Sequence, residues 1–481
     1  MRGFLASSIG VTCAAALALP LTPPATAATA RPAPTAEAAG HPVPGSTQSL
    51  PLEPLARDRA TGAAGAAEQG LSRRAVRHFS LVGVVWDDPE AELHGRVQVR
   101  TRAAGTGTWS GWQDLETHNA DHAADPDTAE RASGRVRGAT APLWVGESDG
   151  VEVRVRAEAD GTRSLGDMGL RLELVDPGAG DRGAFADGSR YGGAPDAEAT
   201  AASAANADLA PLGATEIPAL SREETERELL RSNERKLRGP AGRELSRWAG
   251  RGLPRPAGQE LPRPAGQELP RRADGQRAKP YVGPRPGIVT RRGWGANEGL
   301  RERKFVYTKK VRAAFVHHTA SGNNYRCSQV PSLIRGIYRY HVKSMGWRDV
   351  GYNFLIDKCG KIYEGRAGGV AKPVLGAHTL GFNSNSMGIA VLGSYGSSKP
   401  PSSAVRAVSR LTAWKLGLFG MNPRGKTYLK SGGGNLYRKG RYVRLNVISG
   451  HRDGFATECP GRKLYGKLGS ARSAAARLQG R

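Results

Sequence analysis

Ala313-Ala-Phe-Val-His-His-Thr319 is a short apolar run that closes on two histidines. Apolar runs of this length are typical of buried β-strands, and we predict a strand over residues 312–317. Two further runs, Tyr352–Asp357 and Met387–Leu392, have the same character and are predicted to be buried strands as well. The C-terminal part of this 481-residue chain therefore contains a set of strands, one of which ends at His317.

Helical periodicity occurs between these strands. From Ser328 to Met345 apolar residues and His341 recur at helix spacing, and the segment from Ala404 to Leu418 repeats the pattern. Strands and helices that alternate in this way predict a mixed α/β domain, with a central β-sheet flanked by helices, over residues 286–481.

Composition and the pattern of apolar residues divide the rest of the chain into four parts. Residues 1–30 combine an arginine, an apolar stretch and small-residue cleavage sites, which indicates a secretory signal peptide. Residues 31–75 are rich in Ala, Pro and Gly, and we predict a disordered spacer. Short alternating runs over residues 76–177 predict an all-β, sandwich-like module. Residues 178–285 are low in complexity and are predicted to be a linker.

The linker contains two features of its own. Ser221-Arg-Glu-Glu224 is a capping-box pattern that predicts a short charged helix reaching to about Leu237. Pro/Arg-rich repeats then follow at eight-residue steps over residues 252–273. Units of this length that contain prolines are too short to enclose a core, so they predict an extended spacer.

One loop of the β-rich module is dense in potential metal ligands. Its acidic residues and histidines, over residues 116–127, are Glu116, His118, Asp121, His122, Asp125 and Asp127. A metal site within this loop is one interpretation. The other, which we take as the default, is a solvated polar loop, because charged side chains are mostly exposed.

The basic charge of the chain is confined to its C-terminal part. The net charge is +26, yet residues 281–481 carry 36 Lys and Arg against 7 Asp and Glu, a net +29. Such an excess indicates an anionic partner, which could be a nucleic acid, an anionic lipid surface or a wall polymer. No apolar run reaches the roughly 20 residues that a membrane-spanning helix needs, which excludes a multipass membrane protein.

Three residues of the C-terminal domain form a potential zinc-ligand set. His317 closes a strand, His451 lies in Gly450-His-Arg-Asp453, and Cys459 follows eight residues later. Two imidazoles and a thiolate can hold zinc and leave a fourth position for water. The spacing alone leaves another interpretation open, in which His317 is a core residue and Cys459 pairs with another thiol.

A series of motifs over residues 286–468 supports the zinc interpretation. In chain order they are Arg291-Arg-Gly-Trp-Gly-Ala296, Phe315-Val-His-His-Thr-Ala320, Tyr340-His341, Gly346–Ile356, Gly360–Arg366, Gly376-Ala-His-Thr379, Met387–Gly393, Gly450–Asp453 and Thr457–Gly461. With this order and spacing, the region resembles the peptidoglycan recognition protein and type 2 N-acetylmuramoyl-L-alanine amidase family, which includes the phage T7-type lysozyme amidase.

The resemblance implies a catalytic centre with Zn²⁺ as its cofactor. The ligands would be His317, His451 and Cys459. The family's catalytic tyrosine falls on Tyr352, and Thr457 stands two residues before the cysteine ligand. Both would be catalytic and would hydrogen-bond the water or the oxyanion.

The resemblance also implies a substrate groove and a disulfide. His341, His378 and Asn383 would line the groove that takes glycan and peptide. Since the third mature cysteine serves as a ligand, Cys327 and Cys359 remain, and we expect them to form a disulfide. A disulfide suits an exported domain.

The implied reaction is hydrolysis of the amide between the lactyl group of N-acetylmuramic acid and the L-alanine of the stem peptide. Zinc would activate water and stabilise the oxyanion. No dedicated carboxylate base is evident. Glu364 is a candidate, with a structural role as the alternative.

The sequence therefore predicts a secreted, wall-associated amidase whose partners are peptidoglycan and anionic cell-wall polymers. The alternative is a peptidoglycan-binding recognition protein without turnover, in which the zinc set is vestigial. A specific nucleic-acid partner is not expected, because the sequence has no nucleic-acid-binding motif and carries an export signal. No transmembrane segment is expected in the mature chain.

Overall fold

The computed structural model describes residues 44–55, 68–158, 165–178, 197–238 and 280–481. The predicted signal peptide and the Pro/Arg repeats lie outside the described residues. In the part of the chain that is described, no helix has the length and apolar character needed to cross a membrane. All of the described ranges belong to one compact unit.

Residues 44–178 contain the β-rich module. Its strands are β1 (Ser46–Pro51), β2 (Glu53–Pro54), β3 (Glu68–Trp86), β4 (Gly95–Ala103), β5 (Gln113–Leu115), β6 (Gly138–Ala139), β7 (Leu143–Ala157) and β8 (Arg171–Asp176). They pair in the order β1-β8-β3-β7-β4-β5, with β2 and β6 both pairing on β3. The predicted all-β class of this module is confirmed.

The alternation seen in the sequence positions the core of the module. In β7, Val151, Val153 and Val155 are completely buried, whereas the intervening Glu152 and Arg154 are half-buried. Successive side chains of a strand point to opposite faces, so one face of β7 supplies the core and the other carries charge. Arg100 of β4 donates to the Glu152 carboxylate across the strands at 2.6 Å.

The spacer predicted over residues 31–75 is wrong where the structure describes it. β1 pairs antiparallel with β8 along its whole length, and β3 already begins at Glu68. β1 is polar, with a single buried side chain, Gln48. β1 is held in place by main-chain hydrogen bonds to β8. Such bonds do not require apolar side chains, so the sequence of β1 has no hydrophobic pattern that would predict a strand.

The mixed α/β domain follows. Its elements are α1 (Ala197–Ala204), β9 (Glu216–Ile217), α2 (Arg222–Arg238), β10 (Ile288–Val289), β11 (Ala313–His318), α3 (Val330–Arg339), β12 (Phe354–Ile356), β13 (Ile362–Glu364), β14 (Ser386–Val391), α4 (Ser402–Gly417), β15 (Lys426–Lys430), β16 (Tyr442–Asn446), β17 (Ile448–Gly450), α5 (Arg462–Tyr465) and α6 (Leu468–Leu478). Seven strands form the central sheet in the order β17-β11-β14-β12-β13-β10-β9.

Helices cover both faces of this sheet, as predicted. α4 and α6 pack on the face that includes Ala314 and Val316 of β11. α3 packs on the opposite face, over Leu355 of β12 and Ala390 of β14. Since Ala390 is the register partner of His317, the side chain of His317 lies on the α3 face of the sheet.

Part of the predicted linker belongs to this domain. β9 pairs with β10 at the edge of the sheet, and Asn206 donates to Glu364 at 2.9 Å. The linker prediction for residues 178–285 is therefore wrong within residues 197–238, and also within residues 280–285, where Val282 belongs to the core. The predicted capping box is present, because the Glu224 N–H donates to the Ser221 hydroxyl and the Ser221 N–H donates to the Glu224 carboxylate.

The β-rich module packs on the face of the sheet that carries α3. Leu81 and Trp144 of the module share one hydrophobic cluster with Ile334 and Ile337 of α3. Tyr340, just after α3, donates its hydroxyl hydrogen to the carbonyl of Thr140 at 3.1 Å. The face of the sheet on which His317 lies is thus covered in part by a different module.

Cys327 and Cys359 form the predicted disulfide, with their Cα atoms 6.4 Å apart. It ties the start of α3 to the turn after β12. We expect replacement of both cysteines by serine to lower the free energy of unfolding by roughly 2–4 kcal/mol, because the unfolded chain gains the entropy of an open loop. Denaturant unfolding measures the change. Wild-type protein held under reductant is the control and should match the double variant, and an unchanged midpoint in both would contradict the prediction.

Candidate metal centre

The register between β11 and β17 brings two histidines together. The strands are parallel, and Val316 pairs with Gly450. The residues that follow this pair, His317 and His451, are therefore neighbours at the same end of the sheet, with ring centroids 4.4 Å apart. The Asp453 carboxylate accepts the Gly450 N–H at 2.9 Å, which holds the turn in which His451 lies.

Cys459 approaches the same point from the segment after this turn. Its sulfur lies 3.8 Å from Nδ1 of His317, and the residue is completely buried. The Cys459 carbonyl accepts the N–H of Arg452 at 3.1 Å, and the Cys459 N–H donates to the hydroxyl of Thr457 at 3.1 Å. The structure thus brings the three predicted ligands into one buried cluster.

A fourth side chain joins this cluster from the β-rich module. Nε2 of His122 lies 3.6 Å from the Cys459 sulfur, and its ring centroid is 4.5 Å from that of His451. One ligand atom from each of His122, His317, His451 and Cys459 can be chosen so that all four lie within 4.8 Å of one another. Ligands of a common tetrahedral zinc ion lie roughly 3–4 Å apart, so the four donors are close to that spacing.

The loop that carries His122 is buried, and the default prediction of a solvated polar loop is wrong for its central part. We call residues 116–137, between β5 and β6, the β5–β6 loop. Asp121, His122 and Asp125 are all buried there, whereas His118 and Asp127 remain exposed. Asp125 is stabilised in the interior by hydrogen bonds from the α/β domain, whereas Asp121 and His122 bond each other.

Asp125 shows how the α/β domain receives this loop. Its Oδ1 accepts the N–H of Gly381 at 2.8 Å and the side-chain amide of Asn383 at 2.7 Å. The same amide donates to the carbonyl of Ala123 at 2.8 Å, and the N–H of Leu380 donates to the carbonyl of Asp121. The segment around residues 380–383 is therefore the seat of the β5–β6 loop.

Asp121 orients His122 through a hydrogen bond and lies close to His451. Its Oδ1 lies 2.8 Å from Nδ1 of His122, and its Oδ2 lies 3.6 Å from Nδ1 of His451. Burial opposes the ionisation of Asp121, but the two imidazoles and a hydrogen bond from Thr457 outweigh it and hold the pKa of Asp121 well below its usual range. The carboxylate is therefore charged next to the cluster, where it favours a cation.

Burial keeps the imidazoles neutral. It lowers the pKa of His317 well below its usual value and that of His451 to about 3, with the neighbouring histidines adding to the effect in both. Burial and the nearby Asp121 carboxylate raise the pKa of the Cys459 thiol. Neutral imidazole is the ligand form of histidine, and a bound divalent cation would reverse the shift at the thiol.

The donor set fits zinc. Neither ring nitrogen of His451 has a hydrogen-bond partner within the described ranges, although the residue is completely buried. Buried imidazole nitrogens are normally satisfied, so these atoms indicate a missing ligand. Imidazole and thiolate donors suit zinc, whereas magnesium and calcium require oxygen ligands.

The two predicted catalytic residues lie beside the cluster. The ring of Tyr352 is 5.5 Å from that of His317 and 5.8 Å from that of His122. Burial, followed by the charge of Cys459, raises the pKa of Tyr352 well above its usual value, so the phenol keeps its proton. Thr457 is half-buried, and its hydroxyl accepts the Cys459 N–H at 3.1 Å.

The three predicted groove residues lie nearby but are all buried. His341 stacks on Trp347, and its Nδ1 accepts the N–H of Gly351 at 3.2 Å. His378 packs beneath His317 with ring centroids 5.3 Å apart. Asn383 is completely buried against the β5–β6 loop. Their role toward a substrate stays a prediction, and in this arrangement Asn383 serves the loop.

His378 also reaches the metal cluster indirectly. Its Nδ1 lies 3.0 Å from the Thr379 hydroxyl, which in turn lies 3.4 Å from Nε2 of His317. This chain occupies the nitrogen of His317 that faces away from Cys459. Hydrogen bonds of this kind fix the ring orientation of a metal ligand.

Glu364 lies at a different place. Burial raises its pKa to about 7, and it accepts hydrogen bonds from Asn206 and from the N–H of Arg291. These contacts tie the segment before β9 and the turn after β10 to β13. The structural alternative given for Glu364 is the one that its contacts support.

Comparison with known proteins gives two sequence families. The family described as N-acetylmuramoyl-L-alanine amidase matches residues 307–462, and the family described as Rv3811 N-terminal galactose-binding domain-like matches residues 32–178. The chain is 32% identical to Peptidoglycan-recognition protein SC2 of Drosophila simulans over 184 residues, which cover 38% of this chain and 84% of that protein. It is 33% identical to Peptidoglycan recognition protein 1 of Bos indicus over 179 residues, which cover 37% and 80%.

A solved structure, that of wild-type Drosophila PGRP-LB, matches 38% of this chain and 92% of its own, with 26% identity and a TM-score of 0.30. The fold, the donor set and the sequence relatives define the C-terminal part as an amidase-type α/β domain. The chain belongs to the peptidoglycan recognition protein and N-acetylmuramoyl-L-alanine amidase family.

Sequence reasoning assigned three members of the cluster and missed His122 as the fourth. The only signal was the density of histidines and carboxylates over residues 116–127. That signal suggested a metal site confined to the loop. It could not indicate a shared site, because His122 precedes His317 by almost 200 residues and no spacing rule connects them.

Glu130, near the end of the β5–β6 loop, offers a test of how the loop is seated. Its carboxylate makes two 2.9 Å bonds to Arg366, and both side chains are buried. We expect Glu130→Ala to lower the free energy of unfolding by about 3–5 kcal/mol, because it leaves a buried guanidinium uncompensated. Denaturant unfolding measures this loss.

Asp127→Ala is the matched control in the same loop. Asp127 pairs with Lys439 at 2.7 Å, but both side chains are exposed. Its loss should change the free energy of unfolding by no more than about 1 kcal/mol. Equal effects of the two substitutions would mean that the loop is not seated through Glu130.

Proposed function

We propose that this protein is a secreted, zinc-dependent N-acetylmuramoyl-L-alanine amidase that hydrolyses the lactyl–L-alanine amide bond of peptidoglycan. The observation that carries the proposal is the convergence of His317, His451 and Cys459 in one buried cluster. This cluster lies in the region matched by the amidase family. Secretion rests on the predicted signal peptide and on the disulfide, which suits an oxidising compartment.

Zinc would be held by the two histidines and the cysteine of the α/β domain. When bound, zinc supplies a Lewis acid that polarises a carbonyl and lowers the pKa of water. Asp121 and Thr379 orient imidazoles of the cluster through their ring nitrogens. Fixed ring orientation preorganises the ligands and raises their basicity.

Tyr352 and Thr457 would act on the substrate. The phenol of Tyr352 stays protonated, so it can donate a hydrogen bond to the carbonyl oxygen of the scissile amide as negative charge develops there. Thr457 stands at the rim of the cluster, where its hydroxyl could serve the same oxygen or the attacking water. No carboxylate of the α/β domain contacts the cluster among the described residues, so a general base is not assigned.

The substrate class follows from the relatives and from charge. The curated relatives are named for recognition of peptidoglycan. The basic surface of residues 281–481 suits a wall that carries anionic polymers. His341 and His378 would line the peptide and glycan groove near the metal.

A second candidate is a peptidoglycan-binding protein without turnover. The observation that favours it is the fourth donor, His122, because a zinc site with four protein ligands is the pattern of a structural site. The two candidates agree on the partner and differ in whether the amide bond is cut.

Hydrolysis of purified peptidoglycan tests the proposal. Over extended incubation the wild-type protein should release stem peptides whose N-terminus is L-alanine, detected by mass spectrometry. Cys459→Ala should lose bound zinc, measured by elemental analysis, and release should fall more than about 100-fold, because even an outer-shell change costs about 10–100-fold. Tyr352→Phe is the contrasting variant, since it should keep zinc and lose turnover. Full activity of Cys459→Ala would contradict the assignment of Cys459 as a ligand of a catalytic zinc ion.

Added salt tests the role of the basic surface. Raising ionic strength should lower turnover on intact walls more than turnover on a small neutral muropeptide, because only the wall presents a dense field of anions to be screened. Initial rates on the two substrates over the same salt series measure the difference. Parallel salt curves would show that the charge does not contribute to wall binding.

A further inference from the structure

We propose that His122 is a fourth protein ligand of the metal and that the β5–β6 loop thereby holds the α/β domain in a closed, latent state. The proposal rests on the proposed zinc-dependent function and concerns its regulation. It assigns to the β-rich module a direct role at the catalytic centre.

The ring of His122 is aimed at the cluster. Nδ1 is engaged by the Asp121 carboxylate at 2.8 Å, which leaves Nε2 as the free nitrogen, 3.6 Å from the Cys459 sulfur. A carboxylate on one nitrogen and a metal on the other is the usual arrangement of a ligating histidine. His122 is only 6% exposed, so its position is not that of a surface histidine that happens to point inward.

The loop is seated by contacts that do not depend on the metal. Asp125 accepts two hydrogen bonds from Gly381 and Asn383, and Leu380 donates to the carbonyl of Asp121. Glu130 adds a buried ion pair with Arg366. These contacts hold the loop on both sides of His122. They therefore place His122 next to the cluster whether or not a metal is bound.

Closure by His122 conflicts with turnover. Catalytic zinc sites have three protein ligands and keep the fourth position for water or substrate. With His122 in place, the cluster consists of four protein donors, and no position is left for water or substrate. The predicted groove residue Asn383 is also covered by the same loop, since its amide contacts Ala123 and Asp125. Water and substrate can take up their places only after the loop withdraws.

The architecture allows the loop to withdraw by itself. Between β5 and β6 its only helical segment is the short turn Arg131–Ser133. The contact of the module with α3 runs mainly through residues outside the loop, such as Leu81 of β3 and Trp144 of β7, and the loop adds Ala124 and Val136 to it. Withdrawal of the loop would expose Ala124 and Val136 and leave the rest of the shared hydrophobic cluster in place.

Cobalt substitution tests the ligation without any assay of activity. The wild-type protein loaded with Co²⁺ should show the intense visible absorption of a four-coordinate site, and added azide should not change it, because no position is open. His122→Ala should give an azide-dependent spectrum. His118→Ala is the matched control, since His118 belongs to the same loop but is exposed, and it should behave as wild type.

The rate of peptidoglycan hydrolysis is the second test of the proposal. His122→Ala should hydrolyse purified peptidoglycan about tenfold faster than wild type or more, because loss of the fourth ligand opens a metal position and removes the part of the bias toward the seated loop that His122 supplies, which raises the competent population. His118→Ala should keep the wild-type rate. Equal rates for wild type and His122→Ala, together with azide-sensitive cobalt spectra in both, would overturn the latency.

The two proposals fail in different ways. If neither wild type nor His122→Ala cuts peptidoglycan although both bind zinc, the proposed amidase function is wrong. The cobalt spectra still test whether His122 is a metal ligand. If His122→Ala does not fold, X-ray absorption of the zinc-loaded wild type replaces it. Three nitrogen ligands and one sulfur ligand support the proposal, and two nitrogens, one sulfur and a water oxygen overturn it.

Discussion

The parallel pairing of β11 with β17 is the constraint on which the site depends. Val316 and Gly450 are register partners, so the histidines that follow them leave the sheet side by side. Side chains alternate along a strand, and a slip of one residue would turn one imidazole to the opposite face. The segment after His451 needs only a short turn to bring Cys459 back to the same point. One strand register therefore assembles three donors from two regions of the chain that lie more than 130 residues apart.

Local features of the fold could be predicted from the sequence because they leave local patterns. The apolar runs of β11, β12 and β14, the periodicity of α3 and α4, and the capping box at Ser221 each lie within one element. The ligands His317, His451 and Cys459 were found through motifs, and the disulfide followed from the two cysteines that remained. β1, β9 and His122 were not predicted correctly, since each depends on a distant partner. β1 needs β8, Asn206 before β9 needs Glu364, and His122 needs a cluster formed by another module.

The structure also sharpens the meaning of the basic charge. Four of the seven acidic residues after residue 280 are buried, namely Glu298, Asp349, Asp357 and Glu364. Seven basic residues of the same region are buried as well, namely Arg285, Arg291, Arg301, Arg335, Arg339, Arg366 and Lys415. The surface of the region thus keeps 29 basic and only 3 acidic residues. Burial removes most of the negative charge and a minority of the positive charge, so an anionic partner meets a nearly uniform field.

A fourth ligand from another module couples metal binding to loop docking. By linkage, whatever free energy the seated loop adds to zinc binding, zinc adds to the seating of the loop. The contacts of Asp125 and Glu130 bias the loop toward the seat even without metal, and His122 adds a further bias once metal is present. A partner that binds the β-rich module and opposes the seated loop would then open the site by mass action. The β-rich module and the α/β domain would in this way share one equilibrium, linked through His122.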